Sequence, residues 1–125
     1  MGPENKEEDR FILVVQDVFS RKIWAEAMPT KLPAEVLRAF KRVLERIRDD
    51  GGIIANRLTT DAGGEFVDVK KFMHEQNRQY RIRTSLRSLA TLDNAIGLLK
   101  KALARDLRKN QTDNWSARLQ KIVAG

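Results

Sequence analysis

Cysteine is absent from the 125-residue chain, and histidine occurs once. Without thiols there is no disulfide scaffold, no thiolate nucleophile and no structural zinc site of the usual Cys/His kind. A metal in this chain has to be held by carboxylates, which suits a hard divalent ion. No apolar run approaches the roughly 18 residues of a spanning helix, so no membrane partner is expected. The N-terminus, MGPENKEEDR, is acidic and polar where a signal or transit peptide would be basic and then apolar. A nuclear or cytoplasmic location, without secretion, is the resulting expectation. Low-complexity tracts and internal repeats are missing too, and the length allows one domain with one modest core.

What the chain has in quantity is positive charge. Lys and Arg number 24 against 17 Asp and Glu, a net charge of +7, and the isoelectric point lies near 10.1. This balance points toward a polyanionic partner, with nucleic acid foremost. Small basic domains such as ribosomal proteins share the balance, so charge alone assigns no chemistry.

Residues 1–9 form a polar N-terminal segment, and the foldable chain runs over 10–125. Phe11 to Phe19 (FILVVQDVF) is a nearly unbroken apolar, β-rich run, as in a central strand buried on both faces of a sheet. Ser20 to Lys22 makes a short polar connection, and Ile23 to Met28 alternates as the second strand of an antiparallel hairpin, stopped by Pro29. Val36, Leu37, Phe40, Val43, Leu44 and Ile47 recur with helical spacing, and Asp49-Asp50-Gly51-Gly52 supplies the stop. A strand from Ile53 or Arg57 through Thr60 leads to Asp61, directly before Ala62-Gly63-Gly64. A helix over Val67 to Gln76 turns Val69, Phe72 and Met73 inward. Tyr80 to Thr84 reads as a strand, and the Ser/Arg/Leu stretch after it as a loop. A helix from about Thr91 to Arg108 carries Leu92, Ala95, Ile96, Leu99 and Leu103 on one side. Asp113-Asn114 can cap a last helix with Trp115, Leu119 and Ile122. The order β-β-α-β-α-β-α-α describes an α/β domain, a mixed sheet flanked by helices.

Three stretches read together are more specific: ILVVQDVFSRKIWAEAMPTK, LTTDAGGEF and TLDNAIGLLKKAL. They resemble the catalytic core of retroviral and retrotransposon integrases. The first carries Asp17, Phe19, Ser20, Arg21, Trp24 and Glu26 where that family has an apolar run, an aspartate, a Ser-Arg turn and a Glu-Ala strand. The second matches the T-D-N-G-x-E-F signature at Thr60, Asp61, Gly63, Glu65 and Phe66, with Ala62 in place of Asn. The third sets Asp93 where the family has its last acid, usually Glu, ahead of Leu99-Lys100-Lys101. The resemblance spans about Arg10 to Gly125.

It implies a ribonuclease-H-like mixed sheet flanked by helices, and DNA integration by metal-dependent phosphoryl transfer. Asp61 and Asp93 would be the catalytic, metal-holding acids, and the ion would be Mg²⁺ or Mn²⁺, with no small-molecule cofactor. In such chemistry two divalent ions clamp the attacking and leaving oxygens. Lys100, Lys101, Arg105 and Arg108 would carry DNA phosphates toward them, with Arg81, Arg83 and Arg87 as weaker candidates. Small residues after Asp61 leave room for a phosphate, and a helix N-terminus favours the Asp93 carboxylate.

The chain departs from the family at one essential point. The family's first acid lies on an earlier strand, hairpin-paired with the one at Phe11 to Phe19, and residues 1–9 contain no apolar pattern for it. An ungapped comparison puts Pro3 at that acid. Asp17 is no substitute, because at about 3.3 Å per residue it lies roughly 13 Å along its strand from Leu13. Asp93 is also one methylene shorter than Glu. A catalytically inactive ribonuclease-H-like module that binds nucleic acid or protein therefore stands as the alternative. Asp61 as a turn former, Asp93 as a helix-start acid and the basic residues as a solvated helix face are the plainer structural readings. His74 is expected on the outer side of its helix, and Trp24 and Trp115 as core or interface anchors. A strand edge left open at Phe11 to Phe19 would favour self-association as a homodimer.

Overall fold

The computed structural model describes residues 9–18, 20–60, 63–82 and 90–124. Two strands, β1 (Phe11–Gln16) and β2 (Ile23–Met28), precede helix α1 (Pro33–Asp49). Strand β3 (Arg57–Thr60), a 3-10 turn (Gly64–Phe66), helix α2 (Val67–Glu75) and strand β4 (Gln79–Ile82) follow, then helices α3 (Ala90–Lys109) and α4 (Trp115–Ala124). The molecule is mixed α/β, in the order of elements expected from the sequence.

β1 and β2 pair antiparallel, from Phe11 opposite Met28 to Gln16 opposite Ile23. Side-chain alternation splits this hairpin between two cores. Leu13 and Met28 are buried with Val36, Ala39, Phe40, Val43 and Ile47 of α1 and with Val69 and Met73 of α2, and Phe11, Val15 and Trp24 pack beside them. On the opposite face Ile12, Val14, Ile23 and Ala27 pack around a second cluster formed by Ala25, Leu99 of α3 and Leu119 of α4. The hairpin thus lies between a helix layer made by α1 and one made by α3 and α4. β3 and β4 pair parallel, from Arg57 opposite Gln79 to Thr60 opposite Ile82, and Leu58 and Tyr80 pack on the first core.

Three of the helices end in the same way. Gly51 (φ 79°), Asn77 (φ 57°) and Gln111 (φ 51°) adopt the left-handed conformation just past α1, α2 and α3. The following N–H groups of Gly52, Arg78 and Thr112 reach back to the carbonyls of Ile47, Met73 and Leu107 at 2.8, 2.8 and 3.1 Å. This closure satisfies carbonyls that a helix end leaves open and turns the chain sharply. Glycine adopts it without steric penalty; asparagine does so at some cost and glutamine at more.

The structure corrects four expectations. β1 ends at Gln16 instead of continuing to residue 19, because Asp17 belongs to the turn: its Oδ2 accepts hydrogen bonds from the Ser20 N–H at 3.1 Å and the Ser20 hydroxyl at 2.6 Å. Among the described residues the strands form two separate two-stranded sheets, not one mixed sheet. β1 is also not central there, since its only strand partner is β2. At the start of α4, Asn114 Oδ1 accepts the Ser116 hydroxyl at 3.4 Å rather than a backbone N–H.

Candidate functional site

The parallel pairing of β3 and β4 brings their carboxyl ends, Thr60 and Ile82, side by side. Such ends are where α/β sheets present residues to ligands, since the loops that follow are free of ladder bonds. The Thr60 hydroxyl and the Tyr80 hydroxyl hydrogen-bond to each other across the pair. That bond fixes the last residue of β3, from which the chain passes to Asp61. Asp61 and Ala62 themselves lie outside the described residues.

Beyond them Gly63 opens the 3-10 turn into α2. The Glu65 carboxylate folds back over Gly63 so closely that a Cβ there would lie 2.5 Å from its Oε2. Glycine therefore lets Glu65 occupy this position. The sequence reading used Glu65 only as part of a signature and assigned it no position.

Asp93 sits in the first turn of α3 and is exposed. Negative charge there is favoured by the unpaired N–H groups of the helix start. At 3.6 residues per turn Asp93, Gly97, Lys100 and Ala104 fall on one line along α3. The line opens with a carboxylate, carries one cation and otherwise consists of small residues. A Cβ on Gly97 would meet no atom within 4 Å outside the helix's own backbone.

A neighbouring line on α3 carries Lys101, Arg105 and Arg108. These three and Lys100 are exposed, and among the described residues none is in an ion pair. One reason is that the nearby acid is already committed: Asp106 accepts from Arg118 Nε at 2.8 Å and Nη2 at 3.0 Å. The Arg118 hydrogen bonds hold the Asp106 carboxyl below the usual carboxylate range against the opposing effect of burial, and the same contact raises Arg118. The pair fastens α4 to α3 and leaves the four cations facing solvent. Of the weaker candidates, Arg81 is exposed on β4, and Arg83 and Arg87 lie outside the described residues. His74 is exposed on α2, as its helical position suggested.

Asp17 is occupied by its turn, in keeping with the structural role read for it. Glu26 is an acid that the sequence reading named only as part of the family motif and gave no structural role. It is 6% exposed, and Arg46 Nε meets its Oε2 at 2.9 Å while Arg42 Nη1 stands 3.6 Å from its Oε1. Strand alternation puts it on the α1 face between Trp24 and Met28. A charged residue at an inward strand position, with two arginines four apart on the next helix, was the available signal. Its role is to join β2 to α1. Asp50 does comparable work at the far end of α1: Trp24 Nε1 donates to it at 3.0 Å and Lys22 Nζ at 3.1 Å. These two hydrogen bonds, the indole first, hold its carboxyl below the usual range.

Among the described residues no three acids or histidines gather closely enough to hold a metal ion, and no helix is long and apolar enough to cross a membrane. No family model matches the chain, and no curated protein matches it.

Proposed function

We propose that this chain is an integrase-catalytic-core-like domain of a retroelement, serving DNA strand transfer by metal-dependent phosphoryl transfer, with Asp61 and Asp93 as two of the three acids such a centre uses. The observation that supports this reading is the position of the described parts of the signature, Thr60 and Gly63 to Phe66. Thr60 closes β3 of a parallel pair, and Gly63 to Phe66 turns directly into α2, within an order of elements that continues to Asp93 at the start of a basic helix. By donor type Asp61 and Asp93 suit Mg²⁺ or Mn²⁺. Two carboxylates are one fewer than a two-ion centre of this family requires. When bound, the ions would supply charge stabilisation for the transferring phosphoryl group. Lys101, Arg105 and Arg108 would hold DNA phosphates along α3, and Lys100 would bring one toward the Asp93 line.

The second reading is a module without catalysis that binds nucleic acid through α3. It is favoured by the state of β1, whose one strand partner among the described residues is β2, and by Asp17, whose carboxylate is engaged by Ser20.

An end-joining assay with labelled duplex DNA and Mn²⁺ separates the two. Joining that is feeble, as two acids of three would allow, and that is abolished by Asp61→Asn and by Asp93→Asn supports the integrase reading. Salt-sensitive DNA binding with no joining, unchanged by both substitutions, supports the second. Absence of both joining and binding refutes the pair.

A further inference from the structure

We infer that the outward face of the β3–β4 pair is a binding surface for an unpaired nucleic-acid strand, with Arg57 and Arg81 on its phosphates. Leu58 and Tyr80 turn one face of the pair to the first core. By alternation Arg57, Thr59, Gln79 and Arg81 share the other face, and all four are exposed. Parallel strands are ordinarily covered on both faces and read as near-continuous apolar runs. This pair alternates instead, and its second face carries two cations, an amide and a hydroxyl.

The cations are arranged for an anion. Arg57 stands opposite Gln79, and Thr59 opposite Arg81. The two arginines therefore rise from diagonal corners about 8 Å apart, for strands about 4.8 Å apart and about 3.3 Å per residue. Arg57 Nε donates to Gln79 Oε1 at 3.0 Å. A neutral amide thus orients the guanidinium without cancelling its charge, and it engages the inner nitrogen, so that the terminal pair can meet a phosphate in bidentate fashion. Among the described residues no carboxylate pairs with Arg57 or Arg81, whereas Arg46 and Arg118 are tied to Glu26 and Asp106.

The flatness of the face selects a single strand. Two adjacent strands make no ridge that could enter a groove and reach base edges, so a duplex would offer this face phosphates only. An unpaired strand also brings bases: the Gln79 amide and the Thr59 hydroxyl can bond their edges, and a guanidinium plane can stack on them. The surface is separate from the row on α3, a helix that packs through Leu99 against the hairpin. It leads to the carboxyl ends of the pair at Thr60 and Ile82. The choice of nucleic acid as the polyanion rests on the reading proposed above.

Fluorescence anisotropy of the full chain with a labelled single-stranded DNA oligonucleotide, and with the same sequence as a duplex, tests this. Two phosphates of a single strand contribute about −1.4 to the salt slope, so Arg57→Gln combined with Arg81→Gln should shrink the fall in single-strand affinity between 50 and 200 mM salt by about 7-fold. Duplex affinity and slope should stay as in the wild type. Gln79→Glu sets a carboxylate against Arg57 and should weaken single-strand binding with both arginines in place. Because the chain has no cysteine, a photocrosslinker can be attached at Thr59→Cys, where it should label the oligonucleotide. The same group at Val18→Cys on the hairpin tip, a position 80% exposed in the native chain, should not. Far-ultraviolet circular dichroism should match the wild type throughout, and should the double variant fail to fold, the crosslinks decide. A single-strand salt slope unchanged in the double variant overturns the proposal. So does a wild type that does not bind the single strand, an equal loss of duplex binding, or equal labelling from positions 18 and 59. Single-strand binding that depends on Arg57 and Arg81 in a chain that ignores the duplex supports this face and counts against the assignment of α3.

Discussion

Stripping the cations from α3 should weaken DNA binding by an amount the helix geometry sets. From Lys101 to Arg108 the helix rises about 10.5 Å at about 1.5 Å per residue. That length spans about three phosphates of one strand at about 3.4 Å each along the duplex axis. With three phosphates neutralised, log K should fall against log salt with a slope of about −2.7, or about 40-fold in affinity between 50 and 200 mM salt. Arg105→Ala removes the middle contact and should reduce the slope by about 0.9, leaving roughly a 12-fold fall over the same range. The triple variant Lys101→Ala, Arg105→Ala, Arg108→Ala should lose nearly all of the dependence. Lys100, about 100° round the helix from Lys101, should contribute separately. Fluorescence anisotropy of a labelled duplex, titrated at several salt concentrations, reads both affinity and slope. A triple variant that keeps the wild-type slope would refute the assignment of α3 as the phosphate-binding face.

Other expectations concern the frame that holds α3. Leu119 is fully buried between β2 and α3, so Leu119→Ala should cost about 2–5 kcal/mol in denaturant unfolding; a loss well under 1 kcal/mol would contradict the packing of α4. Gln111 is left-handed at the end of α3, and Gln111→Gly should raise stability by about 0.5–1 kcal/mol in the same assay. Asp106 has its folded pKa lowered by Arg118, so its contribution is present above the unfolded value of about 3.9 and is lost as pH falls through the folded one. Thermal melts of Asp106→Asn should accordingly vary less with pH below about pH 4 than those of the wild type, and an unchanged acid limb would contradict the pair.

The elements were legible where their side chains repeat with a clear period. α1 buries Val36, Ala39, Phe40, Val43 and Ile47, nearly the stripe its spacing announced, and Gly51 ends it where the turn residues stood. The hairpin was legible for the same reason, Ile23 to Met28 being bounded by Pro29. The end of β1 was not, because an apolar run of the FILVVQDVF kind does not reveal that Asp17 prefers Ser20 to a ladder position. Nor could apolarity on both faces distinguish a central strand from a hairpin strand clasped by helices on either side. Among the described residues β1 is packed on both faces like the first, with Leu13 alone fully buried, and paired like the second.

The candidate site divides along a similar line. Exposure of Lys100, Lys101, Arg105 and Arg108 followed from the inward positions of Leu99 and Leu103, since a helix has one buried stripe. The Glu26–Arg46 contact depends on β2 and α1 meeting, a tertiary fact that neither segment carries alone. The same holds for the Thr60–Tyr80 hydrogen bond, formed between strands that are paired in space and separated in sequence by α2.

The central claim is that Asp61 and Asp93 serve one metal centre. Titration of Mg²⁺ or Mn²⁺ into the wild type, Asp61→Asn and Asp93→Asn, followed by calorimetry and by NMR, tests it most directly. The account predicts saturable binding in the wild type that is lost in both variants, with amide signals around Thr60 and the start of α3 moving together. Binding that is absent from the wild type, or that survives either substitution, would contradict it.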